Sequence, residues 1–211
     1  LPDLPNGRIA ILVGNHKVWS ESLTKAVDNF CESYGAVVFC EHGGNYTGKY
    51  RVYNSILTQQ TMCSKPCFDN LLTIHIGEVS SYGIDAIGWA AKSVWRVNED
   101  GELRDLYHKL DNVFEMTEGE FFTLYTKKTL GNKKAEAEAW LKECQQAYGE
   151  LHALIPEDLP FSNPWIAQQT AHRLPENSVL HLAILNSHRD WTMFELTKSV
   201  KGQTFVNTGG L

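Results

Sequence analysis

Asn186-Ser187-His188-Arg189 ends an apolar run with residue types suited to recognising an anion. A guanidinium just past a strand end offers a planar fork to a carboxylate or a phosphate, although the neighbouring Asp190 could equally pair with it inside the protein. Three further tips have the same character: Gly14-Asn15-His16, Glu41-His42-Gly43-Gly44-Asn45 and Gly77-Glu78-Val79-Ser80. Each mixes glycine with polar groups. That mixture serves close backbone approach to a ligand and an ordinary strand-to-helix turn alike.

Other chemistries find little purchase. Ser187 and His188 are adjacent, which seldom gives a nucleophile and its base productive geometry, and no G-x-S-x-G elbow occurs. The eight histidines form no H-E-x-x-H or similar ligand spacing, and His75 and His181, inside apolar runs, read as structural. Gly43, Gly44 and Gly48 lack the G-x-G-x-x-G spacing of a dinucleotide loop. Five cysteines, an odd number scattered along the chain, argue against a disulfide framework and predict a reducing, cytoplasmic setting. Cys63 and Cys67 flank Pro66 but have no second pair at zinc spacing, so they read as two loop thiols. A formal charge of −6 speaks against a nucleic-acid surface, and the apolar runs fall well short of the roughly 20 residues of a membrane helix.

The elements that must position these tips follow from the hydrophobic pattern. Arg8 to Gly14 is a continuous apolar run, as a strand inside a parallel sheet requires. Ser20 caps a helix in which Leu23, Ala26, Val27 and Phe30 recur at helical spacing, with Gly35 at its end. Ala36–Cys40, Leu71–Gly77, Ser93–Val97 and Asp111–Met116 supply further strands, with a helix near Ser81–Ala91. Alternating strands and helices predict a doubly wound parallel α/β sheet with helices on both faces. From Asn132 the chain turns charged, Ala-rich and free of Gly or Pro as far as Gly149, predicting a helix to about Leu154. Ser162 or Asn163, with Pro164 in first position, starts another helix, followed by a strand over Ser178–Leu185.

Trp95-Arg96-Val97-Asn98-Glu99-Asp100-Gly101-Glu102-Leu103-Arg104-Asp105, then Val113-Phe114-Glu115-Met116, then the series helix, Pro, strand, Asn186-Ser187 together resemble the thiamine diphosphate enzymes. Within them the likeness is to the menaquinone-pathway synthases that make 2-succinyl-5-enolpyruvyl-6-hydroxy-3-cyclohexene-1-carboxylate. The resemblance implies a central domain over residues 1–125, a helical connector over 126–160, and the opening of a diphosphate-binding domain over 161–211. It implies a homo-oligomeric parent that binds thiamine diphosphate and Mg and joins or decarboxylates 2-oxo acids. Asn186, Ser187 and Arg189, with Asn207, Thr208 and Gly209 at the next tip, are the expected substrate- or cofactor-binding residues.

Two departures stand out. Arg189 follows Ser187 by two positions where the menaquinone enzymes usually have four, and Thr208 follows Asn207 where some relatives have Arg. Gly83-Ile84-Asp85-Ala86, with Asn112 downstream, imitates the family's metal segment but lacks its second glycine. The true segment is expected just beyond Leu211. The start at Leu1-Pro2-Asp3 and the stop in Gly209-Gly210-Leu211 predict a fragment of a longer enzyme, without catalytic residues, metal or cofactor of its own and partnered by the missing N-terminal and C-terminal domains. The rival expectation is a stand-alone nucleotide-binding or regulatory module using the tips after the first two strands. A third is a pure interaction domain.

Overall fold

The computed structural model describes residues 1–59, 66–78, 85–183, 186–196 and 205–207. The expected α/β architecture is present, as a six-stranded parallel sheet with helices around it. Its strands are β1 (Ile9–Val13), β2 (Val37–Cys40), β3 (Arg51–Val52), β4 (Leu72–Ile76), β5 (Ser93–Asn98) and β6 (Leu110–Glu115). They lie in the order β3-β2-β1-β4-β5-β6. The chain therefore winds outward from β1 in one direction, returns, and places β4 against the other side of β1.

Burial on both sides explains the unbroken apolar runs. All five residues of β1 and all five of β4 are buried. Alternate residues feed two cores, because successive strand side chains point to opposite faces. Ile9, Ile11, Ile74 and Trp95 pack under α1 (Glu21–Tyr34) and α4 (Glu118–Lys128), against Phe30, Phe122 and Tyr125. Ala10, Leu12 and Phe39 face the other way, toward α2 (Ser55–Gln59), α3 (Asp85–Ala90) and α5 (Lys134–His152), against Ile87, Trp140 and Cys144. Burying a large apolar side chain contributes roughly 1.5–3 kcal/mol. Loss of either helical layer would therefore expose one whole face of the sheet.

The local signals act as their chemistry dictates. The Ser20 hydroxyl accepts from the Leu23 N–H at the start of α1, and Gly35, at φ 74°, closes it in the left-handed conformation that an L side chain resists. Ser162, rather than Asn163, caps α6 (Asn163–Thr170). Elements without a sequence expectation include β3, α2 and α4. Strand β3 has two residues and too little pattern to read. Helix α4 did carry a sign, since Thr117 and Glu120 form a reciprocal capping box. It runs across position 125, and α5, in the segment read as a connector, buries Trp140 and Cys144 in the second core.

Two elements are described over only part of the stretch the sequence suggested. Helix α3 is described from Asp85, and residues 79–84, which include Val79 and Ser80 of one tip and Gly83 and Ile84 of the metal-segment imitation, lie outside the described residues. The strand expected over Ser178–Leu185 is β7 (His181–Ala183), with 184–185 outside the described residues. Asn177 at φ 60° and two bonds from Ser178 to the Pro175 carbonyl hold the chain in a turn there. Strand β7 pairs in parallel with β8 (Phe205–Asn207), and α7 (Asn186–Trp191) lies between them in sequence. His181, expected inside a buried strand, is exposed.

Gly14 is where the two halves of the sheet meet. Its N–H donates to the Ile76 carbonyl, and a Cβ placed on it would lie 1.6 Å from the Glu78 carbonyl oxygen. That neighbour is backbone, so no side-chain rotation relieves the clash. Gly14→Ala is expected to cost about 2 kcal/mol or more, measured as a lower midpoint of denaturant unfolding; an unchanged midpoint would show that the β1 and β4 tips are free to separate.

Candidate functional site

Reversal of the winding leaves a crevice, because the chain leaving β1 goes to one face of the sheet and the chain leaving β4 goes to the other. A cleft of about 770 Å³ opens there, within the range of small-molecule sites. Asn15, His16 and Lys17 line it after β1, Gly77 and Glu78 after β4, and Arg96, Asn98 and Asp100 at the end of β5. The first residues of α4, Glu118 and Gly119, complete the wall.

Backbone contacts fix the rim. The Glu78 N–H donates to the Asn15 carbonyl at 2.7 Å, and the two residues form an isolated antiparallel bridge beyond the parallel strands. Gly77, at φ 71°, makes the turn that allows it. The Gly77 N–H then donates to Glu118 Oε1 at 3.1 Å. Glu118 Oε2 lies 2.7 Å from His16 Nε2, and His16 Nδ1 lies 2.7 Å from the Lys17 carbonyl. Both ring nitrogens face acceptors, an arrangement that only the doubly protonated imidazolium satisfies with two donated bonds. Burial opposes that charge, but the Glu118 carboxylate and the Lys17 carbonyl outweigh it and hold His16 above 6.5.

The β5 side of the cleft is different. Arg96 is 1% exposed, and among the described residues its Nε and Nη1 are buried without a hydrogen-bond partner. Of the carboxylates near it, Glu99 is exposed at the rim, and Glu78, Asp100 and Glu118 are engaged elsewhere. Arg104 holds Glu78 at 2.8 Å and Glu102 at 2.5 Å, while Asp100 accepts from the Asn98 amide and from the Glu102 N–H. His75 pairs in register with Arg96, and burial with the charges of Arg96 and Arg104 pushes it down to about 3. It is neutral at physiological pH, consistent with a structural role.

Of the sequence-predicted residues, Asn186, Ser187 and Arg189 lie elsewhere and do not line this cleft. Asn186 is exposed at the start of α7, and Ser187 and Arg189 are half-buried in it. Asn207 ends β8 beside Ala183 of β7, so the tips at Asn186 and Asn207 emerge from the same end of the two-stranded sheet. Thr208 and Gly209 lie outside the described residues.

A buried polar knot docks α7 on the tips of β2 and β3. Tyr53 donates to the Thr192 carbonyl at 2.7 Å, as does Ser55, and His42 Nε2 reaches the Trp191 and Phe194 carbonyls at 3.1 and 3.0 Å. Burial, with the Arg51 charge, lowers His42 to about 3, so it serves as a neutral donor. His188 Nε2 stands 3.5 Å from Glu41 Oε2, both side chains almost wholly enclosed. The tip Glu41-His42-Gly43-Gly44-Asn45 is therefore built into an internal joint.

The described thiols, Cys31, Cys40, Cys67 and Cys144, are all buried. Cys63 lies outside the described residues. Among the described residues no helix is long and apolar enough to cross a membrane. No protein-family model and no curated protein matches this sequence.

His16 was read as part of a tip, but its partner was not found, since Glu118 is 102 positions away. The pair predicts a pH dependence. His16 is raised in the folded protein, so its stabilisation is fully present below the unfolded-state pKa near 6.5 and is lost as pH rises through the higher folded value. The stability difference between wild type and His16→Gln should be larger at about pH 6 than at about pH 9, by urea unfolding. Equal differences at the two pH values would show that the imidazolium is not the form held in the fold.

Proposed function

We propose that this chain belongs to a thiamine diphosphate-dependent carboligase or decarboxylase acting on a 2-oxo acid, related to the menaquinone-pathway synthases. In this reading the six-stranded sheet is scaffold, and the β7–α7–β8 unit begins the diphosphate-binding domain. One observation carries it: a doubly wound sheet is followed by a second parallel β–α–β unit, and that unit is anchored on the first through buried polar contacts. The order of parts is the one the resemblance implies. A rigid joint at Thr192 gives a scaffold something to do, because it fixes where the tips at Asn186 and Asn207 stand.

Thiamine diphosphate, when bound, supplies the nucleophilic carbon needed to decarboxylate a 2-oxo acid. Among the described residues no group of three or more His, Cys, Asp or Glu side chains is placed to hold a metal ion, and no step is assigned to such a group here. In this reading the role of the described residues is recognition. Asn186, Ser187 and Arg189 border the active site in the parent enzyme, with the Arg189 guanidinium at the substrate carboxylate. A cytoplasmic, homo-oligomeric parent belongs to the same proposal.

A second reading, a nucleotide-binding or regulatory module, is favoured by the cleft between β1 and β4, the place where doubly wound sheets hold nucleotides. Calorimetric titration of the 211-residue chain with ATP, NAD and FAD separates the two, since saturable binding would favour the module. The first reading predicts that the full-length parent, supplied with thiamine diphosphate and magnesium, releases carbon dioxide from pyruvate or 2-oxoglutarate. It predicts that this chain alone does not. A silent parent, or an active isolated chain, would overturn it.

A further inference from the structure

Arg96 is the observation that the scaffold reading does not use. A guanidinium inside a parallel strand is rare, and taking an unpaired charge out of water is costly. A valine at this position would suit the strand without that cost. The carboxylates at hand do not compensate by contact: Glu118 is held by His16 and the Gly77 N–H, Glu78 and Glu102 by Arg104, and Asp100 by Asn98 and the Glu102 N–H.

A second unsatisfied atom lies beside it. Asn98 lines the same cleft, and among the described residues its Oδ1 is buried without a partner while its Nδ2 is committed to Asp100. Arg96 and Asn98 are two positions apart on β5, so their side chains leave the same face about 7 Å apart. The cleft thus presents donors needing an acceptor and, one strand repeat away, an acceptor needing a donor. Thr73, Leu12 and Ala10, facing the same side of the sheet, supply no charge, and His75, in register with Arg96, is neutral.

We propose that the β1–β4 cleft is a binding site for a small oxyanion that also carries a hydroxyl, with Arg96 clasping the oxyanion and Asn98 Oδ1 accepting from the hydroxyl. Carboxylates and phosphate monoesters share the required oxygen geometry, since either presents two oxygens to a planar fork. Lys17, exposed at the rim, adds attraction at longer range. The site is separate from the tips at Asn186 and Asn207, and it stands whether or not the thiamine diphosphate reading does. It goes beyond the nucleotide reading by naming the groups recognised and the residues that recognise them.

The test is calorimetric titration of the whole chain with two probes, D-glycerate and glycerol 3-phosphate, and with propionate as a carboxylate lacking hydroxyls. Saturable one-site binding of at least one hydroxylated probe is expected, and the arm that binds tells carboxylate from phosphate. Propionate should bind at least about tenfold more weakly than glycerate where glycerate is the ligand. Arg96→Met should abolish binding yet melt at or above the wild-type temperature, because it removes an unpaired buried charge, an outcome a structural arginine would not give. Asn98→Ala should weaken binding about tenfold. Arg96→Lys, which keeps the charge without the fork, is the second variant should Arg96→Met not fold, and it too should bind about tenfold more weakly. No saturable binding of either hydroxylated probe, or variants that bind as wild type does, would overturn the proposal. Enzymatic activity enters none of these readings, so failure here leaves the scaffold proposal untouched.

Discussion

Everything described depends on how closely β1 and β4 approach beyond their paired residues. These strands are far apart in sequence, and their register, from Ile9 opposite Leu72 to Val13 opposite Ile76, puts Gly14 directly on the backbone of Glu78. Only a residue without a Cβ fits. The approach joins two oppositely wound halves into one sheet, and it also brings the loops after β1 and β4 together before they part to opposite faces. Sheet closure and cleft formation are thus one geometric event.

The two polar assemblies at the strand tips work by contrasting rules. At the switch point the groups are ionic and partly wetted: an imidazolium against Glu118, and Arg104 against two carboxylates. At the β2–β3 tips several bonds run from side chains to main-chain carbonyls, from the neutral His42, Tyr53 and Ser55. Bonds between uncharged groups lose little strength to salt and need no counter-ion, which suits a permanent joint. Charged groups at a cleft can be rearranged or shared with a ligand. The same sheet edge therefore carries a fixed joint at one end and an adaptable wall at the other.

Much of the frame was legible in the sequence because single residues enforce it. Ser20 and Gly35 mark both ends of α1, and the apolar runs of β1, β2 and β4 admit no partly exposed strand. Helix α4 was missed although its Thr117–Glu120 capping box was present, because its apolar residues follow a short strand without an intervening loop signal. Strand β3, two residues long, has no periodicity to detect. The site was harder. Ser93–Val97 reads as a strand, but nothing in Val94-Trp95-Arg96-Val97 marks its arginine as a buried one. The joint between His42 and Phe194 spans 152 positions and leaves no local trace.

That joint also ties two distant parts of the chain together. The carbonyls of Trp191, Thr192 and Phe194 accept from His42, Tyr53 and Ser55, which follow β2 and β3. Closing a loop of this length costs conformational entropy, which the buried contacts of the joint must offset. The surface that seats α7 exists only where β2 and β3 are paired, so the position of the second unit is inherited from the first sheet.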